Sequence, residues 1–120
     1  MKILTLLFFG NKKVVVNALQ KGQIKAGVSI HGVLVSAESA KLLKGACLYI
    51  CSEIDNYVTQ DTIAQTKEGI KGTNVIAEFQ WYEKVAHGFV NRGDYSNDEH
   101  VRKSAEKALD ETNKFLVAHL

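Results

Sequence analysis

Four short apolar runs, Ile3 to Phe9, Ala26 to Ile30, Ala46 to Cys51 and Val75 to Trp81, recur along the chain, and segments with helical spacing separate them. Strand-length runs alternating with helix-length separators are the pattern of a parallel sheet with crossover helices. The first three runs are almost continuously apolar, as in strands covered by helices on both faces. The fourth alternates through Val75, Ala77, Phe79 and Trp81, which suits a strand at the edge of the sheet. Together these features predict an α/β fold: a three-layer sandwich of about four parallel strands in sequential order, joined by right-handed crossovers.

The separators carry their own start and stop signals. Asn11 is a good N-cap and Gly22 a stop for a first helix with Val14, Val15, Ala18 and Leu19 on one face, although Val14 to Val16 are three stiff β-branched residues in a row. Ser36 caps a short helix over Ala37 to Leu43, ended by Gly45, and a further helix over Thr62 to Ile70 closes at Gly72. The longest pattern opens with Ser96-Asn97-Asp98-Glu99, a capping-box arrangement. From about Asp98 onward it places Val101, Ala105, Ala108, Leu109, Thr112 and Leu116 along one stripe. No proline, internal repeat or linker-like tract interrupts the chain, so residues 1–120 are expected to form one domain.

Composition narrows the partners. With 46% hydrophobic and 23% charged residues, and a net charge of +2, the chain lacks the concentrated basic stripe of a phosphate-binding surface, and nucleic acid is not an expected partner. Met1 to Phe9 has the charge and apolar run of a signal peptide. It meets Gly10 and Asn11-Lys12-Lys13 without a small-residue cleavage pattern, and it is too short to span a bilayer, so a buried strand is expected and no membrane association. Cys47 and Cys51 fall on one face of a strand about 13 Å apart, beyond disulfide reach. Two unpaired thiols suggest a reducing, cytoplasmic setting.

Two constellations could carry chemistry. Asp55 follows the third predicted strand, within Cys51-Ser52-Glu53-Ile54-Asp55, and His87 lies in an expected loop, Val85 to Arg92, between the fourth strand and the last helix. Open parallel sheets place their sites beyond the carboxyl ends of strands. Acid then histidine is also the chain order of the last two members of an α/β-hydrolase triad. Solvated loop residues are the ordinary alternative for such a pair.

Other signals weigh less. Trp81 and Tyr82 close the fourth strand, where they could stack on a sugar or aromatic ligand, although packing under the last helix is the usual fate of such side chains. His31, His100 and His119 lack metal-site spacing, Gly69, Gly72 and Gly88 form no phosphate cradle, and no metal or cofactor is expected. Arg92-Gly93-Asp94 spells an adhesion tripeptide of a length that recurs by chance.

The motifs around both candidate residues resemble those of the dienelactone hydrolase family, in the α/β-hydrolase superfamily. The resemblance is to the C-terminal half of a family member and runs through nearly the whole chain. It implies that Asp55 is the triad acid, although Ser52-Glu53 stands where a glycine is common, and that His87 in His87-Gly88-Phe89 is the triad histidine. Val28-Ser29-Ile30-His31-Gly32 is similar to the strand that follows the family's nucleophile-bearing helix. The departure is at the nucleophile, where the family has G-x-C-x-G-G. Leu6-Leu7-Phe8-Phe9-Gly10-Asn11 puts Phe8 at the position of the cysteine, and Leu6 replaces the first glycine.

A phenyl ring can neither attack a carbonyl nor give His87 a proton. Cys51, Ser29 and Ser36 are the candidate substitutes, and none stands in a strand-to-helix elbow. In full-length members further strands lie beside the first strand of this chain. Without them its edge would invite pairing, so a homodimer or higher self-assembly is expected. The expected function is a non-catalytic, self-associating binding or structural protein with a small-molecule or carbohydrate ligand. The alternative is a weak hydrolase of small esters or lactones, with water activated by Asp55 and His87.

Overall fold

The computed structural model describes residues 5–9, 14–30, 36–55, 58–93 and 95–119, without the side chains of residues 5–9, 14, 91 and 92. The Asn11 cap, the His31-Gly32 turn, Asp94 and the Phe8 side chain lie outside what is described. In chain order the elements are β1 (Thr5–Phe9), α1 (Val14–Gln20), β2 (Ala26–Ile30), α2 (Ala37–Ala40), β3 (Ala46–Ile54), α3 (Gln60–Gly69), β4 (Ala77–Ala86), α4 (Phe89–Arg92) and α5 (Glu99–His119).

All the pairings are parallel and the spatial order is β1-β2-β3-β4, so the sheet grows outward strand by strand as the sequence pattern predicts. Alternation along the strands sorts side chains to two cores. Val28, Ile30, Leu48 and Ile50 pack with Phe89 and Val90 of α4 and with Ala105, Ala108 and Phe115 of α5. Cys47, Tyr49 and Cys51 pack on the other face with Val15, Val16 and Leu19 of α1, Ala40 of α2 and Ile63 of α3. The result is a three-layer sandwich. Tyr49, Leu48 and Ile50 are each at most 2% exposed, and burial of side chains this large contributes about 1.5–3 kcal/mol apiece. Gly27 lets α1 approach closely, since a Cβ there would stand 2.7 Å from Val15 Cγ1.

Several boundaries differ from expectation, each for a local reason. The fourth strand runs from Ala77 to Ala86 rather than from Val75 to Trp81, because Tyr82 to Ala86 continue to pair with the end of β3, which itself extends past Cys51 to Ile54. Both extensions are rich in polar residues at the exposed rim, which hides them from a hydrophobicity pattern. The stretch expected as a loop after His87 contains the one-turn helix α4, whose Phe89 and Val90 are buried. Helix α3 begins at Gln60, ahead of Thr62, because Thr59 Oγ1 accepts the Thr62 N–H at 3.2 Å. Ser36 caps α2 as expected, but that helix ends at Ala40. Asp98 Oδ1 caps α5 through the Val101 N–H at 3.1 Å, and on its inner face Phe115 is buried while Leu109 is 44% exposed. No described helix is long and apolar enough to cross a membrane.

Candidate active site

Asp55 and His87 are each the first residue after a strand, and β3 and β4 are neighbours, so both leave the sheet at its carboxyl edge. Adjacency alone does not bring them together. From Cys47↔Ala77 to Ser52↔Tyr82 the two strands pair at an offset of 30 residues, which if continued would set Asp55 opposite Val85. Beyond a bulge the pairing resumes at Ile54↔Ala86, an offset of 32, and the next residues out are Asp55 and His87. Glu83, Lys84 and Val85 thus stand opposite Glu53 alone. Two extra residues preserve the inward and outward alternation, so the strand keeps its faces while its tip advances.

The bulge has a visible clamp. Lys84 adopts φ 59, a left-handed conformation unfavourable for a side chain with a Cβ, and its backbone N–H donates to Glu53 Oε1 at 2.8 Å. Val85 plugs into the α5 core at 2% exposure, and the His87 N–H donates to Ile54 O at 3.0 Å. His100, in the first turn of α5, adds a contact from Nε2 to the Glu83 carbonyl at 2.8 Å. After His87 the chain turns through Gly88 at φ 90, a conformation glycine adopts without a Cβ clash. Phe89 then drops into the core with its ring centroid 5.3 Å from that of Tyr82. The Tyr95 hydroxyl donates to the carbonyls of Phe89 and Val90, closing α4.

The geometry that results is specific. His87 Nδ1 lies 2.7 Å from Asp55 Oδ2, and the carboxylate is only 3% exposed while the imidazole is 23% exposed. A buried carboxylate is costly to leave unpaired, so this contact ties Asp55 to the ring. Buried Ser52 offers a second, longer contact from its Oγ to the same oxygen at 3.5 Å. With the Nδ1 proton directed at Asp55, the neutral ring carries its lone pair on Nε2, the arrangement a general base requires.

The remaining candidates are not brought into this arrangement. Ser29 is 5% exposed within β2, the Ser36 hydroxyl is occupied in capping α2, and Cys51 is buried in the α1 and α3 core. Burial pushes the Cys51 and Cys47 thiols up to about 12, far from thiolate reactivity at neutral pH. Trp81 and Tyr82 do not form an aromatic pair beside the cleft, because successive strand residues face opposite sides. Tyr82 lies under α5 and Trp81 faces α3. The clamping roles of Glu53 and Lys84 are not legible in the sequence, since nothing in an exposed Glu or Lys announces a register shift.

The model of the dienelactone hydrolase family matches residues 8–120. The chain belongs to this family. It is 25% identical over 103 residues to a carboxymethylenebutenolidase homolog of Xenopus tropicalis, a match covering 85% of this chain and 40% of that protein. A dienelactone hydrolase-type structure from Klebsiella pneumoniae superposes with a TM-score of 0.73 at 23% identity, over 93% of this chain and 51% of the other. A dienelactone hydrolase-like promiscuous phosphotriesterase from metagenomic libraries gives 0.63 at 14% identity, over 92% and 52%. At these identities the superpositions speak for the fold. The chain spans 40% of the length of the curated relative and about half of the solved structures. The fold of this dienelactone hydrolase family member is therefore an α/β-hydrolase-like sandwich, as the resemblance implies.

Proposed function

We propose that this chain is a dienelactone hydrolase-fold protein that holds a small ester or lactone without cleaving it through an acyl-enzyme. The observation that carries the reading is the combination of a tightly paired Asp55 and His87, 2.7 Å apart, with a phenylalanine at residue 8, where the family resemblance puts the attacking thiol. An imidazole held this way can accept a proton or hydrogen-bond a ligand. The phenyl ring of Phe8 offers it no hydroxyl or thiol to activate. Phe8 itself lies in β1, in register with Ser29.

Self-association belongs to the same reading. Among the described residues β1 pairs only with β2, and its sequence Thr5-Leu6-Leu7-Phe8-Phe9 is an apolar edge without a charge to discourage pairing. A second copy covering this edge closes the assembly as a symmetric dimer. The two buried thiols support a reducing, cytoplasmic setting.

A slower route, water attack with His87 as general base, is favoured by the intact 2.7 Å contact and is the second reading. Hydrolysis of an activated aryl ester by the wild type and by His87→Ala separates the two. Equal background rates support the binding role, and activity lost in the variant supports direct water activation.

A further inference from the structure

A groove between α3 and the outer strand β4 lies apart from the Asp55 and His87 pair. Gln60, Ile63, Ala64 and Lys67 form one stripe of α3, and Phe79 and Trp81 face them from β4, enclosing a cavity of about 260 Å³. Residues at i and i+2 on a strand share a face, so both rings stand on the α3 side of β4 and give the groove an aromatic wall. Phe79 is backed by Tyr49, stacked at 4.7 Å and 7°.

The one charge in this lining is Lys67. Its Nζ stands 5.8 Å from the Phe79 ring centroid, and among the described residues it pairs with no carboxylate, whereas Glu68 beside it bonds Lys71 at 2.8 Å. An aromatic wall, an apolar floor at Ile63 and an unneutralised ammonium at the rim match an aromatic ring bearing a negative group. The volume is below the roughly 300 Å³ at which pockets for drug-sized ligands begin, which points to a single ring. With the Gln60 amide and the Trp81 indole N–H as the neutral polar groups in the lining, a carbohydrate would leave most of its hydroxyls without partners.

We infer that the groove between α3 and β4 binds a small aromatic carboxylate, its ring against Trp81 and Phe79 and its carboxylate at Lys67. The inference is independent of whether Asp55 and His87 turn over any substrate. Trp81 is the only tryptophan in the chain, so its fluorescence reports on the groove directly.

The test is a titration of the wild type, Lys67→Met and His87→Ala with 4-nitrobenzoate and with the uncharged 4-nitrobenzamide. Trp81 emission is followed with excitation at the red edge, and the indole N–H resonance is followed by NMR. Saturable quenching by the carboxylate is expected, at least tenfold tighter than by the amide. That preference should vanish in Lys67→Met and persist unchanged in His87→Ala. Linear, non-saturating quenching would overturn the inference, as would equal affinity for acid and amide or a Lys67→Met variant that still prefers the acid. Since Lys67 is exposed, an unchanged melting curve verifies that the Lys67→Met variant is folded.

Discussion

Removing the clamp on the bulge should loosen His87 without touching it. In Glu53→Ala the Lys84 N–H loses its acceptor while Lys84 remains at φ 59. A hydrogen bond to a charged group contributes about 1.5–3 kcal/mol, and the exposed position of Glu53 discounts this to about 1 kcal/mol. The left-handed Lys84 costs about 1–2 kcal/mol, which the clamp now helps to offset. The expected loss of about 1 kcal/mol corresponds to a fall of roughly 4 °C in Tm for a chain of this size. More telling is the imidazole. With the register free to relax, the Nδ1 proton of His87 should lose its hydrogen-bonded NMR signature. Lys84→Gly, which removes the backbone strain, should restore part of that signature in the Glu53→Ala background. If Glu53→Ala leaves both the melting temperature and the His87 ring resonances unchanged, the clamp does not position the histidine.

Gly88→Ala forces a side chain to φ 90 and should destabilise the protein by about 1–3 kcal/mol in urea titrations, with His87 displaced from Asp55 in NMR spectra. Iodoacetamide at pH 8 should alkylate neither Cys47 nor Cys51 in the native protein and both after unfolding, as read by intact mass. The raised thiol values also fix a sign. Proton binding favours the folded state, so this stabilisation is complete below the ordinary value of 9.0 and is lost as pH rises toward about 12, observable as a falling denaturation midpoint across that window. Light scattering on dilute protein should show a dimer or larger species, and Leu7→Lys on β1 should shift it toward monomer. A monomeric wild type would refute pairing through that edge.

Much of the architecture was legible because buried parallel strands are written as apolar runs, and the runs around Val28, Leu48 and Phe79 each became a strand at the expected place in the order. What escaped lies at the polar rim. Nothing in Glu83-Lys84-Val85 signals that three residues stand opposite one, yet that count decides whether Asp55 meets Val85 or His87. The sequence nominated the pair by its position after two strands. Its contact required a register shift that no local propensity encodes. Glu53 was noticed only as a departure from a common glycine, whereas in the fold its carboxylate is the acceptor that holds the bulge. The opposite failing applies to Trp81 and Tyr82. Strand alternation already places adjacent residues on opposite faces, and that rule was enough to separate them.

Intact-mass analysis after incubation with an activated aryl ester tests the central claim most directly, with the wild type, His87→Ala and Phe8→Cys side by side. A protein that pairs Asp55 with His87 but carries a phenyl ring at residue 8 should show no His87-dependent acyl adduct, and Phe8→Cys should acquire one. A wild-type adduct that disappears in His87→Ala would reveal a nucleophile on another side chain and contradict the account.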